Sequence, residues 1–205
     1  MNAAYCYSIK SSPQLDYYDI LFAPENRLVY RQEVSHYIKR IASYSFYNND
    51  LKGGIYFRPN PTLESIGCCS FSRYKLRSIW FPSSLIVIEK EAFRYCELCD
   101  VEFQYDSKLK EIGDFAFANN KISSISLPSS LVKLGYGSFV YNNIDRVYFN
   151  GNSNLEEIGG DSFGVNSLID FTIPSKVKFL GEKLFSDNSN LNCIELTSTN
   201  LPEVE

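Results

Sequence analysis

Residues 109–131 read LKEIGDFAFANNKISSISLPSSL, and this stretch decides the fold because its apolar spacing recurs along the chain. Leu109, Ile112 and Phe117 mark three apolar slots, and the same slots recur at intervals of 22 to 25 residues. Such a period is typical of a repeat array, in which stacked units bury a face that no single unit can cover. The recurring phenylalanines are Phe46, Phe71, Phe93, Phe117, Phe139, Phe163 and Phe185.

A short alternating segment follows each phenylalanine and predicts a strand. In the quoted stretch, Ile125 and Leu127 flank Ser126, and alternation with a period of two is typical of a half-buried strand. Three of these strands run directly into proline, as in Leu127-Pro128, and their connections are two residues shorter than the others. Each unit is therefore predicted to be a compact turn or short helix followed by a strand.

The two ends depart from this pattern. Residues 1–37 are predicted to form an N-terminal cap with a β-hairpin, in which strands at 18–22 and 28–30 are joined by a turn at Pro24. Residues 38–196 hold seven repeats. Leu201 and Val204 fill the first two apolar slots of a further unit, so residues 197–205 are predicted to be a partial eighth repeat or C-terminal cap.

The recurring Leu-x-x-Ile-Gly-x-x-x-Phe, followed by Leu-x-x-Ile-x-Phe/Leu-Pro-Ser-Ser-Leu, resembles the BspA-like leucine-rich repeat family. The clearest copies span residues 109–117 and 127–131. The resemblance implies an α/β repeat solenoid, a right-handed superhelix with a parallel β-sheet on one face and short helices or turns on the other. Known members are mostly surface adhesion or protein-binding molecules, and the family brings no catalytic motif.

Composition excludes several classes of function. The net charge is −4 without Lys/Arg clusters, so the electrostatic footprint of a nucleic-acid binder is absent. No apolar run approaches the roughly 20 residues that span a bilayer. Residues 1–18 contain no apolar run of the length that a signal peptide needs. These features favour an intracellular protein that is not inserted in a membrane.

Three motifs suggest chemistry, but each has a simpler explanation. Cys96-Glu97-Leu98-Cys99 has the spacing of half a zinc site, yet Cys96 fills a slot that holds asparagine in five other units. His36, the single histidine, lies in the predicted cap with no catalytic motif around it. Gly135-Tyr136-Gly137 lacks the third glycine of a dinucleotide loop. We therefore expect no catalytic residue, no cofactor and no metal.

The outward face of the strands is the better candidate site. Side chains alternate along a strand, so the residue between the two buried positions of each strand should face solvent. Exposed Trp, Tyr and Arg are enriched in binding hot spots, although Tyr and Trp also favour strands for packing reasons alone. The predicted protein-binding residues are Tyr56, Arg58, Arg77, Trp80, Arg146 and Tyr148.

Taken together, the residues favour a non-enzymatic interaction scaffold with one or more protein partners. We expect an intracellular setting, such as a larger assembly of cytoskeletal type. The alternative is a cell-surface, adhesin-like repeat protein that binds host or matrix proteins. The competing hypothesis from a different functional class is an enzyme or metal protein built around Cys96 and Cys99.

Overall fold

A computed structural model describes residues 19–20, 31–34, 39–48, 54–57, 62–198 and 202–204. Within these residues the chain forms stacked coils, and every regular element is a short β-strand. From Arg40 to Leu196, each coil contains a two-residue strand, a turn that carries the repeated phenylalanine, and a four-residue strand. The predicted repeat solenoid is therefore confirmed as a parallel β-solenoid.

The two-residue strands line one face of the solenoid. Each ends on an aliphatic residue of the repeated slot. In the seven strands from Arg40–Ile41 to Phe179–Leu180 this residue, such as Ile112 or Leu134, is buried, and the residue before it is more exposed. All neighbours in this sheet pair in parallel and follow the order of the chain. The strands are β1 (Asp19–Ile20), β3 (Arg40–Ile41), β5 (Ser65–Ile66), β7 (Val87–Ile88), β9 (Glu111–Ile112), β11 (Lys133–Leu134), β13 (Glu157–Ile158), β15 (Phe179–Leu180) and β17 (Glu203–Val204).

The four-residue strands line a second face, where they pair two by two. The paired strands are 22 or 23 residues apart, as in Ser124↔Arg146, and the longer interval separates one pair from the next. The alternating spacing of the sequence therefore appears as alternating strand pairing. The strands are β2 (Arg31–Val34), β4 (Gly54–Phe57), β6 (Ser78–Phe81), β8 (Asp100–Phe103), β10 (Ser124–Leu127), β12 (Arg146–Phe149), β14 (Asp170–Ile173) and β16 (Cys193–Leu196).

The third face is made of turns, which corrects the α/β expectation: no helix occurs in the described residues. In each coil the residues two before and two after the phenylalanine have positive φ, which a right-handed helix cannot contain. The amides of Phe115, Phe117 and Asn119 each donate to a carbonyl of the following coil over 2.8 to 3.0 Å. Because these amides bond the next coil, a helical bond within their own segment is lost.

The repeated phenylalanines form the centre of the core. From Phe46 to Phe163, successive rings stack with centroids 4.8 to 5.7 Å apart and planes within 9° of parallel. Phe185 leaves the ladder and tilts against Phe171, at 4.8 Å and 57°. Offset stacking and burial both stabilise such a column, so the aromatic excess of the sequence belongs largely to the core.

A second ladder, of asparagine side chains, provides hydrogen-bond partners for the backbone beside the phenylalanines. Asn120, Asn142, Asn166 and Asn188 each accept an amide of the preceding coil and donate to carbonyls through the same side chain. The acceptors include the carbonyls of the phenylalanines on both coils, as for Asn142 with Phe117 and Phe139. Buried backbone groups require such partners, so this slot demands a side chain that can bond backbone.

The N-terminal segment departs from the predicted hairpin where it is described. Asp19–Ile20 pairs in parallel with β3, and Arg31–Val34 pairs in parallel with β4. Each strand thus extends a different sheet of the solenoid. The predicted turn at Pro24, and all of residues 21–30, lie outside the described residues. The boundaries of the two caps therefore remain predictions.

Candidate binding surfaces

The second face carries the aromatic side chains that the sequence predicts to be exposed. Trp80 is 40% exposed, whereas its neighbours Ile79 and Phe81 are buried in the core. Tyr148 is 49% exposed at the equivalent position of β12. The inside-outside alternation inferred for these strands is therefore confirmed. The alternation of side chains along the strand requires this orientation, because turning the strand over would expose Ile79 and Phe81 and bury Trp80.

The predicted site residues do not form one continuous cluster. Arg77 and Trp80 are exposed on one pair of strands, and Arg146 and Tyr148 on another. A hydrogen bond to Tyr148 raises the pKa of Arg146. Glu102 of β8 and Ser126 of β10 occupy the equivalent outward-facing positions of the two strands between Trp80 and Tyr148.

Two predicted residues cannot be placed in this surface. The structure describes Tyr56 only as part of the backbone of β4, and Arg58 lies outside the described residues. A patch joining Tyr56 to Trp80 therefore stays a prediction. The described part of this face exposes Arg77 and Trp80 at one place and Arg146 and Tyr148 at another.

A more continuous surface lies on the turn face, where no site was predicted. The turn patch is defined here as Arg73, Arg94, Tyr95, Phe115 and Tyr136. The Arg94 guanidinium lies 5.0 Å from the Tyr95 ring centroid and 5.2 Å from that of Phe115. Arg73 approaches the Tyr95 ring at 5.2 Å, and Phe115 meets Tyr136 edge to face at 5.4 Å. These contacts join four consecutive coils.

The turn patch is held in place before any partner arrives. Glu91 forms an ion pair with Arg94 at 3.1 Å, which orients the guanidinium between the two rings. Tyr95 and Tyr136 remain 41% and 46% exposed. Stacked Arg and aromatic side chains attract through the ring quadrupole. The turn patch therefore offers polar and apolar side chains whose rotamers are already restricted.

Sequence reasoning missed the turn patch because its members are far apart in the chain. Arg94 and Phe115 are 21 residues apart, and Arg73 and Tyr95 are 22 apart. Aligning the residues two positions after the phenylalanines from Phe71 to Phe139 would have placed Arg73, Tyr95, Asn119 and Tyr141 in one column, and only Arg73 and Tyr95 of these belong to the turn patch. The turn or short helix expected at this position gave no reason to interpret that column as one exposed line.

The first sheet has the composition of a solvated face. Lys133 pairs with Glu157 at 2.8 Å, and Lys178 pairs with Glu156 at 2.8 Å, each across neighbouring coils. Exposed pairs of this kind contribute little to stability. Within each of these two pairs, the opposite charges neutralise one another.

Cys96 and Cys68 have the properties of packing residues. Burial raises the pKa of the Cys96 thiol to about 12, and its Sγ donates to the Phe71 carbonyl at 2.8 Å. Cys96 thus makes a backbone contact in the asparagine slot, as the repeat alignment predicts. Burial, with Cys69 alongside, raises the pKa of Cys68 to about 11. A thiol with so high a pKa is a poor nucleophile at neutral pH.

The remaining motifs are explained by packing or lie outside the described residues. A Cβ on Gly135 would come within 2.5 Å of the Asp114 backbone nitrogen, so close stacking of coils requires glycine there. Gly137 has φ +56°, in the turn position of positive φ. His36 lies outside the described residues. Among the residues that are described, no three His, Cys, Asp or Glu side chains are grouped to hold a metal ion.

Comparison with known proteins identifies the repeat. The BspA type leucine rich repeat region matches in six copies, over residues 39–152 and 64–192. A search of curated proteins finds no match. In the described part of the chain, no helix is long and apolar enough to cross a membrane.

Solved structures are also similar to this chain. The pneumococcal vaccine antigen PcpA is 24% identical with a TM-score of 0.62, over 82% of this chain and 50% of that one. The chain thus spans half the length of that structure. A leucine rich cell surface protein from Faecalibacterium prausnitzii A2-165 is 15% identical (TM-score 0.31), over 82% of this chain and 79% of that one. A leucine-rich repeat protein from Bacteroides ovatus ATCC 8483 is 16% identical (TM-score 0.29), over 86% of this chain and 74% of that one.

Proposed function

The chain belongs to the BspA-type leucine-rich repeat family, and from this premise we propose that it is a non-enzymatic protein-binding module. The turn patch is the observation that carries the proposal. It combines Arg, Tyr and Phe, the residue types that dominate binding hot spots. Its Arg94 is already fixed between two rings, so binding would cost less side-chain entropy than ordering a free arginine.

The turn patch is a better primary surface than the strand face. It joins residues of four neighbouring coils, whereas Trp80 and Tyr148 are separated by two strands with Glu102 and Ser126 between them. A continuous patch can bury more area against one partner. Trp80 and Tyr148 then form a second surface, which a large partner could reach around the solenoid.

Of the two settings left open by the sequence, we favour the cell surface. The solved protein of similar fold, PcpA, is described as a vaccine antigen, a description that suits an exposed location. Nothing in the comparisons supports the intracellular, cytoskeletal setting that the sequence favoured. The module would then act as an adhesin-like protein whose partner is a host or matrix protein.

Site-specific photo-crosslinking on intact cells tests both the surface and the setting. A photoreactive phenylalanine analogue replaces Tyr95 in the turn patch, Tyr148 on the strand face, or Tyr105, which is fully exposed elsewhere. We expect one protein adduct from Tyr95, a weaker one from Tyr148 and none from Tyr105. Adducts of equal yield at all three sites would mean that the patch is not the binding surface.

Binding measurements with the captured partner then separate the two faces. Tyr95→Ala and Arg94→Ala should weaken binding by about 1–2 kcal/mol each, the scale of hot-spot truncations. Trp80→Ala should have a smaller effect, and Tyr105→Ala none. If Trp80→Ala alone abolishes binding, the strand face is the site. If only a cell-free lysate yields an adduct, the intracellular scaffold is the better interpretation.

A further inference from the structure

The connection that follows β12 contains an asparagine followed directly by a glycine. Residues 150–154 read Asn-Gly-Asn-Ser-Asn, and Asn150 and Gly151 are both exposed. When the nitrogen of the residue after an asparagine bonds to the side-chain amide carbon, the ring that closes has five members. Glycine hinders this approach least because it carries no side chain. Ring closure between Asn150 and Gly151 then depends on what holds the two reacting groups.

The packing of the repeat does not require this pair. After β8 the equivalent residues are Gln104 and Tyr105, and the backbone of Tyr105 does not have positive φ. Gly151 has φ +56°, so the turn at this glycine belongs to its own loop and not to the repeat. A Cβ on Gly151 would meet nothing within 4 Å, so no neighbouring group demands glycine there either.

The Asn150 side chain is not held by a hydrogen bond, whereas comparable side chains are. The Gln104 Oε1 atom accepts the backbone amide of Ser83 at 2.8 Å. In the same loop as Asn150, the Asn154 side chain donates to a backbone carbonyl of the preceding coil at 2.9 Å. No described residue bonds the Asn150 side-chain amide. This side chain can therefore rotate toward the Gly151 nitrogen without losing a partner.

The backbone nitrogen of Gly151 is also unoccupied. The Asn150 amide donates to a carbonyl of the preceding coil at 3.0 Å, but the Gly151 amide donates to no described residue. Asn143 is the opposite case. Its side chain is exposed as well, but the amide that follows it, of Ile144, donates to Asn166 Oδ1 at 2.9 Å and belongs to a buried residue. Attack by the Ile144 nitrogen would break a bond inside the solenoid.

We propose that Asn150 deamidates spontaneously, with the Gly151 backbone nitrogen as the nucleophile and water as the second reactant. The Gly151 nitrogen loses its proton and bonds to Cγ of Asn150, and the side-chain nitrogen leaves as ammonia. The product is a cyclic imide that joins the two residues. Water then adds to one of the two imide carbonyls and opens the ring. Opening leaves either an aspartate or an isoaspartate at position 150.

The modification changes the charge of the strand face beside Tyr148. Arg146, Tyr148 and Asn150 alternate to the same side of the chain, so the new carboxylate lies about 7 Å along the strand from Tyr148. Its negative charge offsets the positive charge of Arg146. The isoaspartate form also adds a methylene group to the main chain where the loop begins. The charge of this second surface therefore changes with the age of the molecule, and the change does not depend on the turn patch.

Peptide mapping of the aged 205-residue chain tests the proposal. The chain is incubated in heavy-oxygen water at mildly alkaline pH, then digested and analysed by chromatography with mass spectrometry. We expect aspartate and isoaspartate at position 150, each with one heavy oxygen atom, formed at least tenfold faster than any product at Asn143. Asn150→Gln lengthens the ring by one atom and Gly151→Ala adds a side chain to the attacking residue, so each should slow the reaction at least tenfold. Circular dichroism checks that both variants fold.

A synthetic peptide of residues 146–155 gives the rate for the same sequence without the fold. A rate in the folded chain within tenfold of the peptide's rate supports the proposal, and a slower one overturns it because the loop then protects the pair. Aspartate without isoaspartate would show direct hydrolysis with no imide. An unchanged rate in Gly151→Ala would exclude the Gly151 nitrogen as the nucleophile. None of these results bears on the turn patch, so failure here and failure of the proposed function are distinguishable.

Discussion

Asn120→Ala tests the asparagine ladder at its best-connected position. The side chain is 8% exposed, and its Oδ1 accepts the amides of Cys96 and Leu98 at 3.0 Å each. Its Nδ2 donates to the carbonyls of Phe93, Phe117 and Ala118. One buried amide group thus joins two coils through five hydrogen bonds.

The expected loss follows from the partners that truncation leaves behind. Two of the three carbonyls keep a second donor: the Phe117 carbonyl still accepts from the Asn142 side chain, and the Ala118 carbonyl still accepts from the Tyr95 amide. Truncation therefore orphans the Cys96 and Leu98 amides and the Phe93 carbonyl. Each buried unsatisfied group costs about 1–3 kcal/mol, and water entering the vacated space reduces the sum. We expect the free energy of unfolding to fall by about 3–5 kcal/mol.

Asn120→Asp is the matched variant because it keeps an acceptor oxygen and replaces the amide donor with a group that donates only when it is protonated. Burial beside three carbonyls should raise the pKa of the introduced carboxyl above its unfolded value of about 3.9. The folded variant then holds a proton that the unfolded chain releases. Its stability relative to wild type should therefore fall as pH rises above about 4, and should be highest below that pH.

Urea denaturation followed by circular dichroism measures both variants against wild type at each pH. Asn143→Ala is the control, because Asn143 is exposed beside the same ladder and should change stability by no more than about 0.5 kcal/mol. A loss below about 1 kcal/mol for Asn120→Ala would refute the argument. A difference between Asn120→Asp and wild type that does not change with pH would refute the donor assignment.

Phe117→Ala should lower the free energy of unfolding by about 3–5 kcal/mol, because its ring stacks on both sides. Phe46→Ala, at the end of the described ladder, should lower it less because an end unit can fray alone; equal losses in calorimetry would contradict nearest-neighbour behaviour. Val165→Gly should raise stability by about 0.5–1 kcal/mol, since φ is +50° at a β-branched residue; chemical denaturation showing a loss would mean that its packing outweighs the strain. In native alkylation followed by mass spectrometry, exposed Cys193 should react before buried Cys96, which has a pKa of about 12 and should react only on unfolding; equal rates for these two thiols would contradict the burial of Cys96.

The sequence alone determined the array, its period and the direction of its strand side chains. Phe117 and its equivalents had to stack, because each unit leaves one apolar face that only the next unit can cover. Ile79 and Phe81 had to point inward, so Trp80 had to face solvent. The slot shared by Cys96 and the asparagines also followed from alignment, because it required a side chain able to bond backbone.

Only the tertiary structure decided the form of the turns and the surface they create. A segment such as residues 113–119 is compatible with a short helix when considered alone, but the amides of Phe115, Phe117 and Asn119 find acceptors 21 residues away, in the next coil. That long-range bonding sets positive φ at Phe115 and Asn119 in place of a helix. It also brings Arg94 between Tyr95 and Phe115. Such contacts depend on the rise from one coil to the next, a distance that the repeat pattern does not contain.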